Sequence, residues 1–155
     1  VVLGGKQERN LRAGTENVAL ATGFATAFAA VSKMRESEKK RLKKLRDQFA
    51  KELLSISGIV INGSLDHALP HMLNISIPNV SSEYVTLALD HAGIAVSTKS
   101  ACREGEESQS HVVVTLGGQS WRAQNTFRFS LGTDTTESDL KNVSAKLAVI
   151  VKKQQ

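Results

Sequence analysis

The chain has 155 residues, enough for one domain with its own hydrophobic core, and its 41% hydrophobic and 23% charged residues are ordinary values for a globular protein. The longest weakly polar stretch, residues 18–31, is too short to cross a bilayer, so no membrane partner is predicted. The sequence holds one cysteine, which excludes an internal disulfide.

The chain begins with Val-Val-Leu-Gly-Gly and not with Met, and this opening predicts a piece of a longer protein. The N-terminus has no basic region followed by an apolar run, so a secretory signal is not predicted. Together with the lone cysteine, this pattern favours a cytoplasmic location.

The formal net charge is +5, and much of it comes from residues 33–51, which hold nine Lys or Arg. Such a run suits either a nucleic-acid-binding surface or the solvated face of a long helix. Only 5% of the chain is aromatic, and Glu36/Lys40 and Asp47/Lys51 stand at the i,i+4 spacing of helical ion pairs. We therefore expect a solvated helix face and no nucleic-acid partner.

The N-terminal third predicts one long helix. Residues 1–14 are Gly-rich and irregular, and Thr15 is a suitable N-cap for a helix that continues to about Ser57, with a break near Gly23 or Ser32.

This helix changes character along its length. Residues 18–31 are small and apolar all round, which predicts packing on several sides, whereas residues 34–54 are amphipathic. We therefore predict two parts: a segment at 1–57 that ends in a long linking helix, and a small C-terminal domain at 58–155.

Shorter elements follow Gly58. The alternation of apolar and polar residues predicts strands at 59–61, 72–77, 94–98 and 126–131. Capping residues predict helices from Ser81 or Ser82 to His91, over 111–116, and from Thr136 to the C-terminus. The order indicates βαβ-like units with a closing helix, hence a two-layer α/β sandwich.

Three segments hold residues suited to chemistry. The first contains two glycines, basic residues and Thr15 just before a helix, an arrangement that either binds a phosphate or simply caps the helix. The second contains Cys102 in a polar loop, where exposure is favoured over burial. The third contains Arg128 on a strand between two inward Phe residues, where its guanidinium either grips a carboxylate or forms a local salt bridge.

The four histidines show no metal-ligand grouping. His67 and His71 stand at i,i+4 spacing, but Pro70 lies between them and a third ligand is not evident. No metal site is predicted.

Together these segments resemble the cysteine desulfurases of the class V aminotransferase family, in the same order along the chain. Residues 4–17 resemble the G-G-x-Q-E-x-x-x-R-x-G-T-x-N segment, and residues 100–102 resemble the S-A-C motif. Residues 110–117 are similar to the S-H-V-L…G helix, and residues 128–132 to the R-x-S-L-G strand. The long loop after the cysteine is similar to that of the nitrogen-fixation and iron–sulfur-cluster group.

The resemblance implies the small C-terminal domain of a fold-type I transferase that depends on pyridoxal 5′-phosphate, preceded by a long interdomain helix. It implies conversion of L-cysteine to L-alanine, with the sulfur carried as a persulfide on Cys102 for iron–sulfur cluster or thio-cofactor assembly. By the same resemblance, Arg128 binds the substrate carboxylate and Thr15 reaches the cofactor phosphate across a homodimer interface. The implied partner is a sulfur acceptor such as an iron–sulfur scaffold protein.

The family's cofactor lysine, in a His-Lys motif, has no counterpart in this chain, so the chain alone is expected to be inactive. Residues 103–107 are more acidic than the Ser-rich stretch of the family, which bears on the acceptor that docks. The alternatives are a selenocysteine lyase or other class V enzyme, a non-catalytic sulfur-carrier or regulatory domain, and a nucleic-acid-binding module built on residues 33–51.

Overall fold

A computed structural model describes residues 3–98 and 109–154. The chain divides into two compact units, Val1–Ser37 and Glu38–Gln155. The boundary predicted at residue 57, between a linking segment and a small domain, stays a prediction.

The first unit contains a left-handed turn followed by the start of helix α1 (Val18–Leu54). Glu8, Arg9 and Asn10 form a short 3-10 turn with φ of 49°, 54° and 65°, a region that side chains with a Cβ rarely adopt. The prediction that Thr15 caps α1 is wrong. The helix begins at Val18, and Asn17 is the cap, because its Oδ1 accepts the N–H of Leu20 at 3.0 Å.

The break expected in α1 near Gly23 or Ser32 does not occur, because one glycine weakens a helix interior without interrupting its hydrogen bonds. The packing expected for residues 18–31 is also not found: Phe24 and Phe28 stack on each other yet remain 72% and 65% exposed. An apolar composition indicates a need for burial but does not reveal which surface supplies it.

The second unit is built on a three-stranded antiparallel sheet in the order β1-β2-β3. The strands are β1 (Val60–Ile61), β2 (Met72–Ser76) and β3 (Thr126–Ser130). The strand predicted at 94–98 is wrong, since among those residues only Ser97 bridges β3, antiparallel to Arg128. This segment therefore runs in the direction of β2 with β3 between them, so the predicted βαβ unit exists only in a split form.

Four further helices lie among the described residues of this unit. They are α2 (Ser82–His91), α3 (His111–Thr115), α4 (Ser120–Gln124) and α5 (Glu137–Gln154). The predicted caps of α2 and α5 are confirmed: Ser81 Oγ accepts from Tyr84 N, and the Thr136 and Asp139 side chains each accept from the other's backbone N–H. Helix α4 was not predicted. No helix among the described residues is long and apolar enough to cross a membrane.

The alternation of residues along β2 and β3 separates the two faces of the sheet, as predicted. The apolar face packs against α1, α2 and α5, and it consists of Leu73, Ile75, Ile77, Phe127, Phe129 and Leu131, all buried. Phe49 of α1 meets Phe129 edge to face, with ring centroids 5.2 Å apart. The opposite face is polar.

The basic stretch of α1 is only partly the solvated face that was predicted. The expected pairs Glu36/Lys40 and Asp47/Lys51 do not form; the observed pairs include Arg41 with Glu38 and Lys43 with Asp47. Arg41 and Arg46 lie in the second unit, and both donate to backbone carbonyls of that unit.

Candidate functional site

A cavity of about 290 Å³ lies against the polar face of the sheet. Its lining comes from β2, β3, α3 with its two caps, the loop between β1 and β2, and Thr98. It consists of Asn62, Ala68, Met72, Leu73, Asn74, Thr98, Ser110, Val112, Val113, Leu116 and Arg128. An apolar wall with a few polar groups is typical of a small-molecule site.

Arg128 is the charged residue of the cavity lining. It lies at the middle of β3 directly opposite Asn74, and its Nη2 donates to Ser97 Oγ at 3.3 Å. Its Nε is buried and has no hydrogen-bond partner among the described residues. A buried guanidinium N–H left unpaired is costly, and a bound carboxylate would satisfy it.

The salt bridge considered for Arg128 does not form within the described residues. Arg128 therefore differs from the paired cations of the unit, such as Arg41, Lys43 and Arg46. The carboxylate-binding role remains the interpretation that these contacts favour.

A polar network on the same face of the sheet was missed by the sequence analysis. Asn62 Nδ2 donates to Asn74 Oδ1 and to Ser76 Oγ, each at 2.6 Å, and Thr126 Oγ1 donates to Asn74 Oδ1 at 2.8 Å. The signal available in sequence was the polar half of the alternation, Asn74 and Ser76 on β2, but their partners come from distant positions.

Arg122 ties α4 to the edge strand. Its Nε donates to Asn62 Oδ1 at 3.0 Å and its Nη2 to Ile61 O at 2.7 Å. Ser110 N–H in turn donates to Ala123 O at 2.9 Å, and Ser110 Oγ caps α3. The start of α3, which follows the cysteine segment, is thereby attached to the sheet through α4.

Cys102 lies outside the described residues, and its predicted role stays a prediction. Both flanks of its segment are described and line the cavity: Thr98 precedes it, beside the Ser97 bridge to β3, and Ser110 follows it. The two attachment points of the segment are therefore the sheet's polar face and α4.

Thr15 belongs to the first unit, where it is exposed and precedes α1 by three residues. The turn before it is braced internally: Gly14 N–H donates to Gln7 Oε1 at 3.3 Å, and Arg12 Nη1 donates to Gly14 O at 3.2 Å. The Thr15 hydroxyl has no hydrogen bond to any described residue, which leaves it available to a ligand or a partner.

The carboxyl groups whose pKa is shifted do not line the cavity. Hydrogen bonds from Arg41 lower the pKa of Glu38, and a hydrogen bond from the Thr136 side chain lowers the pKa of Asp139. In the part of the chain that is described, no three His, Cys, Asp or Glu side chains are grouped to hold a metal ion.

The chain matches the aminotransferase class-V family over residues 4–143. It belongs to that family, as the four sequence segments predicted. This match extends through both units.

Two proteins with sequences similar to this chain are named cysteine desulfurases. Cysteine desulfurase IscS of Dictyoglomus turgidum is 38% identical over 99% of this chain, and cysteine desulfurase IscS 1 of Archaeoglobus fulgidus is 33% identical over 99%. The chain covers 39% and 40% of these two proteins, so it spans about two fifths of the relatives it matches.

The solved structure of a NifS-like protein resembles the fold over 98% of this chain and 38% of its own, with a TM-score of 0.84 and 30% sequence identity. This likeness confirms the predicted fold class, an α/β portion of a fold-type I transferase.

Proposed function

We propose that this chain is the C-terminal part of a cysteine desulfurase that converts L-cysteine to L-alanine and carries the sulfur as a persulfide on Cys102. The observation that carries the proposal is Arg128, whose buried Nε has no partner among the described residues. Arg128 lines a small cavity that Thr98 and Ser110, before and after the cysteine in sequence, also line. The names of the relatives support the same activity.

Arg128 binds the carboxylate of L-cysteine in this proposal. A guanidinium offers two parallel N–H donors that match a carboxylate, and its position at the middle of a strand restricts its orientation. The hydrogen bond from Nη2 to Ser97 Oγ restricts it further. The substrate is thus held at one end while its thiol is left for attack.

Cys102 acts as the sulfur acceptor. Its thiolate attacks the sulfur of L-cysteine, so that a sulfur–sulfur bond forms as the carbon–sulfur bond breaks. The electron pair of the broken bond remains with the substrate carbon, which takes up a proton and leaves as L-alanine. Three residues separate Cys102 from Thr98 of the cavity lining, so four residue steps span about 14 Å at most when extended.

Pyridoxal 5′-phosphate is the cofactor of the proposed activity, and it supplies the electron sink for cleavage of the carbon–sulfur bond. Two residues of this chain have groups suited to such chemistry. The exposed Thr15 hydroxyl would donate to the phosphate, and the Arg128 N–H groups would donate to the substrate carboxylate. The family's cofactor lysine is not among the residues of this chain.

Three further parts of the proposal concern assembly. Thr15 contacts the cofactor of a second copy across a homodimer interface, the sulfur passes to an acceptor such as an iron–sulfur scaffold protein, and the protein acts in the cytoplasm. The exposed Phe24 and Phe28, which need a covering surface, support burial of α1 against another part of the complete protein or a second copy.

The test uses intact mass and product analysis after incubation with pyridoxal phosphate and L-cysteine. This chain and the complete gene product are run in parallel, with Cys102→Ser as the matched control. We expect alanine and added sulfur on Cys102 only in the complete product, and no persulfide in the Cys102→Ser variant.

Other outcomes select the alternatives. Alanine release from selenocysteine but not from cysteine would indicate a selenocysteine lyase. A persulfide received from an external donor, without alanine, would indicate a sulfur-carrier domain. Neither signal in the complete product would reject the proposal.

A further inference from the structure

The orientation of the Asn74 side chain is fixed by hydrogen bonds to its carbonyl oxygen. Its Oδ1 accepts two hydrogen bonds, from Thr126 Oγ1 at 2.8 Å and from Asn62 Nδ2 at 2.6 Å. A carboxamide that uses its oxygen in this way has its two N–H donors on the other branch. These donors find no acceptor among the described residues, and Asn74 lines the cavity.

Arg128 stands directly opposite Asn74 in the β2–β3 register and lines the same cavity. Directly paired residues of an antiparallel sheet have Cβ atoms about 4.5–5.5 Å apart and project from the same face. Both side chains therefore contribute to one group of N–H donors around the same cavity: the Nε of Arg128, which has no partner among the described residues, and the amide of Asn74. Such a group attracts an anion with two oxygens.

We propose that Asn74 is a second binding residue for the α-carboxylate of the amino-acid substrate, beside Arg128, and that Thr126 is its positioning residue. This inference deepens the proposed function and rests on it. Arg128 supplies the charge, and Asn74 supplies a directed donor that fixes which carboxylate oxygen faces β2. Thr126 favours this orientation of the amide, because its hydroxyl donates to Asn74 Oδ1 at 2.8 Å, closer than its alternative acceptor, Ile75 O, at 3.3 Å.

The kinetic test compares Asn74→Ala, Asn74→Asp and Thr126→Val in the complete gene product, with Asn142→Asp as the matched control. Asn142 lies on the exposed side of α5 and does not line the cavity. We expect Asn74→Ala to raise KM for L-cysteine about tenfold with little change in kcat, since a hydrogen bond to a charged ligand is lost.

Asn74→Asp should raise KM further, because its carboxylate pairs with Arg128 and repels the substrate. Thr126→Val should raise KM less than either, since it only frees the amide to rotate. Unchanged KM in Asn74→Asp would overturn the inference, as would an equal loss in Asn142→Asp.

A binding test separates this inference from the proposed activity. The complete protein is labelled with 15N-asparagine, and the amide resonance that disappears in Asn74→Ala identifies Asn74. L-Alanine should shift this resonance, whereas L-alaninamide, which lacks the carboxylate, should not. If the wild-type protein makes no alanine from cysteine, the proposed function fails while this titration still decides the role of Asn74. An equal shift with both ligands, or no shift with either, would reject it.

Discussion

Ser97 and Arg128 hold each other through both backbone and side chain. Ser97 N–H donates to Arg128 O at 3.2 Å, Arg128 N–H donates to Ser97 O at 2.7 Å, and Arg128 Nη2 donates to Ser97 Oγ at 3.3 Å. The residue proposed to hold the substrate is thus fastened to the stem of the segment that bears Cys102. These three hydrogen bonds set the relative position of the two residues.

Replacing Arg128 by lysine should weaken substrate binding more than it weakens the fold. Lysine keeps the charge but cannot donate two parallel hydrogen bonds, so KM for L-cysteine should rise by about tenfold or more. Steady-state alanine release by the complete gene product measures this. Arg35→Lys is the control, because Arg35 is 75% exposed and pairs only with its neighbour Glu36; a similar rise in both variants would contradict a specific role.

Arg46 is the clearest stabilising residue of the second unit. Its side chain is 0% exposed, and it donates to the carbonyls of Leu65 and Leu69 at 2.8 and 2.9 Å and to Asp47 Oδ1 at 2.6 Å. Arg46→Met should lower the free energy of unfolding by about 3 kcal/mol, because it leaves buried acceptors unpaired.

Urea unfolding of the chain tests this prediction against Lys43→Met. Lys43 also pairs with Asp47, but its side chain is 50% exposed, so its loss should cost at most about 1 kcal/mol. Equal costs for the two variants would show that the buried contacts of Arg46 contribute little.

Replacing glycine by alanine should lower the stability of the fold at Gly93 and raise it at Gly23. Gly93 follows α2 with φ of 77°, so Gly93→Ala should destabilise the fold by about 1 kcal/mol although nothing lies within 4 Å of the added methyl group. Gly23 lies inside α1, also with open space around it, so Gly23→Ala should instead favour the helix by about 0.5–1 kcal/mol. Thermal unfolding followed by circular dichroism measures both; a common sign would contradict the argument.

Acid should destabilise the second unit. The pKa of Glu38 is lowered from 4.5 by its hydrogen bond from Arg41, and that of Asp139 from 3.8 by its hydrogen bond from Thr136. Because the folded pKa values lie below the unfolded ones, the stabilisation is present above about pH 4.5 and is lost as the pH falls through the folded values.

Denaturant unfolding between about pH 3 and about pH 7, a range that spans the titration of Asp and Glu side chains, measures this loss of stability. The double variant Glu38→Gln with Asp139→Asn removes two of the titrating groups and should show a shallower dependence. A dependence as steep as that of the wild type would assign acid sensitivity to other groups.

Local patterns in the sequence predicted much of the second unit. The period-two alternation at 72–77 and 126–131 predicted strands β2 and β3 and their faces, because one face is apolar and packs in the core while the other is polar. Caps gave the starts of α2 and α5, since a Ser or Thr side chain bonds backbone groups only three residues away. Such signals are short-range and do not depend on the rest of the chain.

The elements that were predicted wrongly or missed depend on distant partners or on competing local contacts. Helix α4 is five residues long, too short to show a helical period, and it is held by Ser76 and Asn62 through Arg122. Thr15 and Asn17 are both residue types that cap helices well. The sequence alone did not show which of them would cap α1, because that depends on the turn held by the hydrogen bond between Gln7 and Gly14. The donor pair of Asn74 and Arg128 required the strand register, which only the fold supplies.

Arg122 also contacts the edge of the sheet. β1 is an edge strand of two residues, and edge strands expose carbonyl and amide groups to which strands of other molecules can bind. The Arg122 guanidinium occupies the Ile61 carbonyl oxygen at 2.7 Å. The side chain that fastens α4 therefore also occupies one of the acceptors to which a strand of another molecule would bind at this edge.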